Sequence, residues 1–172
     1  MKISNFEHPK NARHAVIIQK RLRKKVQLVP LKTTPEKFLA LDVSYRTEQA
    51  FAAAVLWKHS AVLESRKASS PISFPYIPGL LSFREIPALI GVISKIRGRP
   101  DVILVDGQGL MHPRGFGLAC HVGVLTGIPT IGVAKSHLFG EILRQPTSRG
   151  WEWILHGSRV IGAIILTQEG SK

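Results

Sequence analysis

The run Val102-Ile103-Leu104-Val105, ending in Asp106, limits this chain more than any other stretch. Four apolar residues without alternation predict a strand buried on both faces of a largely parallel sheet. Parallel neighbours need helical crossovers, so the class expected is α/β. A strand of this kind does not end in a carboxylate without a reason, and the loop after it, GQGLMHPRGFG, is dense in glycine with His112 and Arg114 close behind. Gly107 and Gly109 allow a tight turn and close approach to a ligand.

The rest of the chain supplies neighbours for that strand. Residues 8–29 are expected to form a helix with Ala15, Ile18, Leu22, Val26 and Val29 on one face and a crowded basic face of Lys20, Arg21, Arg23, Lys24 and Lys25. FLALDVSY (38–45), AFAAAVLW (50–57) and a short strand near 61–64 have short connections, as in an antiparallel meander. Residues 66–82 read as a loop, stiffened where Pro75 and Pro78 bracket Tyr76 and Ile77. A helix over 83–96 follows from the spacing of Ile86, Leu89, Ile90, Ile93 and Ile96, and Ser82-Phe83-Arg84-Glu85 matches a capping box. A second helix at 113–125, a strand at 129–134, a basic segment to Arg149 and strands at 151–155 and 160–166 complete the order.

Composition narrows the partner. With 24 Lys+Arg against 11 Asp+Glu the formal net charge is +13, which favours a polyanion such as nucleic acid. No apolar run approaches the roughly 20 residues of a membrane-spanning helix, and no secretory leader is evident at the N-terminus. The expectation is a single domain covering 1–172, cytoplasmic, monomeric and without a membrane partner. Cys120, the only cysteine, excludes an internal disulfide and a thiolate zinc cluster, and its apolar setting predicts a buried structural thiol.

Three carboxylates stand at telling places in this order. Asp42 lies in the middle of the first strand, where an ionised group is costly unless it is paired or holds a metal. Glu85 starts the first core helix, either capping it or facing beyond the sheet, and Asp106 ends the fourth strand. Three antiparallel strands, a helix, a strand, a helix and a strand, with carboxylates so placed, is the arrangement of ribonuclease-H-like nucleases: a mixed five-stranded sheet with flanking helices. Oxygen donors alone suit Mg²⁺ or Mn²⁺ better than zinc. Two such ions about 4 Å apart stabilise both the attacking water and the leaving oxygen of a phosphodiester.

ALDVSY, FPYIPGLLSFRE and PDVILVDGQGLMHPRGFGLACHVGVLTGIPTIGVAKSHLFG, in this order, resemble the endonuclease V family from Phe38 to about Leu166. The resemblance implies Mg²⁺-dependent hydrolysis, with Mn²⁺ able to substitute, of the second phosphodiester bond 3′ to deoxyinosine or another deaminated base in DNA. It leaves 3′-hydroxyl and 5′-phosphate ends. The resemblance further implies Asp42, Glu85 and Asp106 as metal-binding carboxylates, Lys135 at the scissile phosphate or its water, and His112 near that phosphate or the metal shell. Tyr76, with Ile77 and Pro78, would form the wedge that fills the space of a flipped base; Arg84 would assist phosphate binding. Gly79, Leu81, Gly109 and Leu138 would line the base pocket. Extruding a base costs a few kcal/mol, so a rigid filler is physically sensible. Family members continue into a V-S-P-G-H segment and a final helix absent from this sequence, so the C-terminal strands 151–166 are expected to close a shortened domain with apolar surface uncovered on one sheet face. Alternatives from this reading are a catalytically impaired protein that binds deaminated bases, and an endoribonuclease acting on inosine-containing RNA.

Overall fold

A computed structural model describes residues 3–31, 33–143 and 150–165. The elements run α1 (Ala12–Arg23), β1 (Lys37–Arg46), β2 (Gln49–Lys58), β3 (Ala61–Pro71), α2 (Leu81–Ile93), β4 (Val102–Asp106), α3 (Leu118–Thr126), β5 (Thr130–Val133), β6 (Glu141–Leu143), β7 (Trp151–His156) and β8 (Arg159–Ile165). The first five strands form one mixed sheet of order β3-β2-β1-β4-β5, antiparallel from β3 to β1 and parallel from β1 to β5. The expected α/β class and five-stranded mixed sheet are both present. Leu39 and Leu41 of β1, Ala50, Ala52, Ala54 and Leu56 of β2, and Ile103 and Val105 of β4 bury one face against α2 and α3. The three alanines of β2 carry little bulk, so the helix layer can sit close to the sheet.

The β1–β4 register is pinned at its lower end by Asp101, whose Oδ2 accepts from the backbone N–H groups of Glu36 and Lys37 at 3.0 and 2.9 Å. From there the strands pair in parallel up to Leu41 opposite Val105. Asp42 and Asp106 each lie one residue further, at neighbouring strand ends.

Several boundaries differ from expectation. The first helix is Ala12–Arg23 and not 8–29, because Asn11 caps its start by accepting from the His14 N–H at 2.9 Å, while Leu28 and Val29 lie beyond its end and are exposed. The third strand continues through RKASSP to Pro71, so much of the expected loop is an edge strand. Its polar, half-exposed alternation and terminal proline are what an edge tolerates. No capping box forms at α2: Leu80 occupies the cap without a side-chain hydrogen bond, and Ser82 and Glu85 turn to other partners. The shorter α3 starts at Leu118 because Pro113 to Gly117 belong to the loop.

The C-terminal strands form a separate sheet of order β6-β7-β8, with β7 and β8 turning at Gly157 (φ +59°). Strand β6 lies in what reads as a basic loop. Arg144 to Arg149 and Leu166 fall outside the described residues. Among the described residues no helix is long and apolar enough to cross a membrane. Cys120 is half-buried, with its thiol pushed up by burial.

A second core joins α1, the proline loop and α2 through Ala15, Ile18, Phe74, Leu80 and Phe83. At its edge His121 is enclosed by the rings of Phe6, Phe83 and Phe116 at 5.7, 5.3 and 5.2 Å, with Nδ1 3.1 Å from Ser82 Oγ. Burial pushes its imidazole down to about 4, so the unfolded chain gains a proton below the ordinary histidine range that the folded chain refuses. The stability His121 contributes is therefore full above about pH 6.5 and lost as pH falls towards 4, amounting to about 3 kcal/mol at the acid end. Urea unfolding at pH 7 and pH 5 should show wild type losing more stability than His121→Gln; equal losses would refute the assignment.

Candidate active site

Asp42 and Asp106 stand at the neighbouring upper ends of β1 and β4, with Glu85 near enough for both charges to act on it. Asp42 Oδ1 accepts from the Val43 N–H at 2.8 Å, leaving Oδ2 free among the described residues. Glu85, carried in by the first turns of α2, is only 6% exposed, and its Oε1 accepts from the Tyr45 hydroxyl at 2.7 Å. Burial pushes the Glu85 carboxyl up to about 7, and the negative charges of Asp42 and Asp106 push the same way, against the Tyr45 hydrogen bond. The three groups therefore share one electrostatic site. Asp106 Oδ2 lies 3.8 Å from Lys135 Nζ, an outer contact for a lysine side chain that is 93% exposed.

Whether these residues fit a divalent cation can be judged from charge and donor type. The donors are all carboxylate oxygens, and the field they set up raises Glu85, which a dication would relieve. Among the described residues no three such side chains stand close enough to ligate one ion, since Glu85 is turned to Tyr45 and Asp106 leans towards Lys135. The donor set fits Mg²⁺ in chemistry, and ligation requires side-chain rotation.

The loop after Asp106 is held by backbone. Gly107 N–H donates to Val133 O at 2.8 Å, Gly117 N–H to Gly109 O at 2.9 Å and Ala119 N–H to Gln108 O at 3.1 Å. Gln108 Nε2 donates to Ser136 O at 2.9 Å, tying the segment that carries Lys135 to the same loop. Gly109 faces Ala119 and the β5 backbone at Gly132, while Leu138 is exposed beyond the end of β5.

Tyr76 is 67% exposed at the tip of the proline loop. Ile77 packs on the second core, and Leu80 N–H closes a turn on Ile77 O at 2.9 Å with Pro78 and Gly79 at its centre. Gly79 has φ +77°, the left-handed value that a type II turn demands at that position. Leu81 follows as the first residue of α2, half-buried.

His112 is placed differently from the phosphate role the resemblance implies. It is buried, its Nδ1 accepts from the Arg114 N–H at 3.1 Å, and so the Nε2 carries the proton donated to Gly79 O at 3.1 Å. Burial pushes its imidazole below the ordinary histidine range. Gly79 O also accepts from Gln19 Nε2 at 2.9 Å and Arg114 Nη2 at 2.6 Å, and Arg114 Nε donates to Gln19 Oε1 at 2.6 Å. One carbonyl thus ties α1, the proline loop and the glycine loop together. Arg84 is likewise engaged, with Nη1 donating to Phe74 O at 3.0 Å and its guanidinium 4.8 Å from the Tyr45 ring centre.

Sequence reasoning missed Tyr45 and Gln19. Tyr45 lies three residues after Asp42, on the opposite sheet face by alternation, a spacing that points at α2. Gln19, 1% exposed, sits on the apolar face of an otherwise basic helix, which is the signal that marks it. Removing the hydroxyl in Tyr45→Phe takes away the one contact that lowers Glu85 most. Carboxyl ¹³C titration of the metal-free protein should show Glu85 moving further up; an unchanged or lower midpoint would refute the contact.

The family model for endonuclease V matches residues 20–172. A curated endonuclease V from Nostoc sp. is 41% identical over 170 residues, covering 95% of this chain and 77% of the relative. The crystal structure of endonuclease V from Streptomyces avermitilis superposes with a TM-score of 0.87 at 36% identity, over 98% of this chain and 77% of that one. Endonuclease V from Ciona intestinalis, solved with a 23mer DNA containing an inosine followed by a ribo-adenosine, gives a TM-score of 0.68 at 29% identity, over 75% of this chain and 58% of that one. With the carboxylates at the ends of β1 and β4 and the start of α2, the exposed tyrosine between prolines and this extent of similarity, the chain belongs to the endonuclease V family and is an endonuclease.

Proposed function

We propose that this endonuclease acts on DNA containing deoxyinosine or another deaminated base and hydrolyses the second phosphodiester bond 3′ to it, leaving 3′-hydroxyl and 5′-phosphate ends. The observation that carries this reading is the electrostatic coupling of Asp42, Glu85 and Asp106 beside a proline-braced loop with Tyr76 at its tip. The inosine-containing DNA of the Ciona complex supports the substrate class. Asp42, Glu85 and Asp106 would hold Mg²⁺, or Mn²⁺ in its place. When bound, the metal supplies a Lewis acid that lowers the cost of charge developing on the phosphate oxygens.

The chain's own residues do the rest. Lys135, free to swing because its side chain is exposed, brings a cation to the scissile phosphate from beside Asp106. Tyr76 fills the gap left when the deaminated base leaves the stack, and its bracketing prolines keep the filler from collapsing. Gly79, Leu81, Gly109 and Leu138 line the pocket that receives the base. His112 acts on the position of the wedge loop through Gly79 O, as a positioning residue. Arg84 steadies the same loop at Phe74 O.

The test is cleavage of a duplex with one inosine against the same duplex with guanine, in Mg²⁺, with fragment ends mapped. Cutting one nucleotide beyond the inosine on its 3′ side is expected; equal cutting of both duplexes would overturn the reading. A second reading, that a ribose 3′ to the lesion is accepted, is favoured by the ribo-adenosine in the Ciona substrate. Inosine-containing RNA assayed in parallel separates the two.

A further inference from the structure

A cavity of about 260 Å³ opens between the end of α1, the loop from Leu110 to Gly115, and the β7–β8 hairpin. Among the described residues its lining includes three arginines, Arg23, Arg114 and Arg159, together with His112, His156 and Phe139, and no Asp or Glu. None of the residues placed in the base pocket lines it. Among the described residues, none of these three arginines is in an ion pair. One of them is held by hydrogen bonds and another packs closely on the loop. Arg114 is fixed through Nε and Nη2 to Gln19 and Gly79, and Arg23 lies across Gly115, where a Cβ would stand 2.8 Å from its Nε. Gly115 has φ +58°, so the loop both turns there and leaves room for the guanidinium. On the far wall the rings of Phe139 and His156 meet at 4.8 Å.

Three like charges facing one space without a counter-charge repel one another, and that cost is removed when an anion enters. Guanidinium forks match phosphate oxygens in geometry as well as charge. The volume is below the roughly 300 Å³ at which small-molecule pockets begin, so it suits a phosphate group with part of its sugar better than a whole cofactor. Resting on the reading of this chain as a nuclease, we propose that this pocket is a second nucleic-acid subsite, taking a backbone phosphate of the bound strand away from the scissile bond. Arg23, Arg114 and Arg159 supply the charge, and Phe139 with His156, their rings tilted by 53° to one another, forms an angled aromatic wall beside the sugar. Because Arg114 also holds Gly79, a filled subsite braces the wedge loop from behind.

The experiment is fluorescence anisotropy of a labelled inosine duplex in EDTA, which prevents cutting, over a series of salt concentrations. Wild type is compared with Arg159→Ala, Arg23→Ala and the control Lys95→Ala, just beyond the end of α2 that lies away from Glu85. Each pocket variant should lower the magnitude of the slope of log affinity against log salt by about 0.9 per lost phosphate contact, and the control should leave it unchanged. Unchanged slopes in both arginine variants, or an equal fall in the control, overturn the proposal. Inorganic phosphate that binds by calorimetry while the duplex slopes stay unchanged would assign the pocket to a free anion and also overturn it. Failure of the parent reading looks different: wild type would show no preference for inosine over guanine in cleavage, whatever the salt slopes do.

Discussion

Asp106→Ala should lower the single-turnover rate of inosine-directed cleavage by on the order of a thousandfold or more, while leaving the protein folded. On the proposed reading Asp106 would help hold a dication, and losing such a ligand costs several kcal/mol of transition-state stabilisation, each 1.4 kcal/mol being tenfold in rate. The fold should not suffer, because the side chain is about half exposed and its removal opens no cavity. The strand pairing opposite Val133 is made by backbone. Stability should change by no more than about 0.5 kcal/mol. With one neighbouring negative charge gone, the Glu85 carboxyl should move down from about 7. A fall in activity together with a downward shift at Glu85 identifies the lost group as part of one coupled site. A variant that cuts within tenfold of wild type would remove Asp106 from the chemistry.

The five-stranded sheet was legible because its signals are local and redundant. The β4 run is too apolar for anything but a doubly covered strand, and two strand-like runs with a short connection precede it. Asp42 and Asp106 stood out as charges where local pattern calls for apolar residues, but the expected desolvation cost at Asp42 is absent, because both side chains face solvent at their strand ends. What escaped was set by contacts distant in the chain. The S-x-x-E pattern at 82–85 has the chemistry of a capping box, yet Ser82 faces His121, 39 residues away, and Glu85 takes the Tyr45 hydroxyl, 40 residues away. His112 reads as a reactive group beside glycines, but burial gives both its nitrogens partners inside the protein. Gln19 shows the same limit from the other side: one polar residue on an apolar helix face says that it has a buried partner, not that the partner is Gly79 O. The edge strand beyond Glu64 was hidden because solvent faces its alternating polar residues, which leaves no hydrophobic period to read.

Gly132→Ala should show how narrowly the loop after Asp106 is seated. Gly132 lies in β5, and no positive φ is recorded there, so alanine meets no backbone penalty. The obstacle is steric: a Cβ would stand 2.4 Å from Gly107 O and 2.7 Å from Gly109 N. Both are backbone atoms, so no side-chain rotation relieves the contact. On the other side Gly117 presses on the same loop, with its own Cβ position 2.3 Å from Gln108 O. The loop is thus threaded between two glycines, and one methyl group at either forces it to move. The expected cost is about 1–3 kcal/mol of stability, as for other overpacked sites. The larger effect is on catalysis: the loop carries Asp106 at its root and holds the Lys135 segment through Gln108, and a displacement of about 1 Å in such a site costs roughly a hundredfold in rate. Gly127→Ala is the control, with a φ of +65° and open space around it, so it should lose about 1 kcal/mol in stability and almost nothing in rate. Equal rates for the two variants, measured at a temperature where both are folded, would mean that the glycine seat does not set the position of the carboxylate.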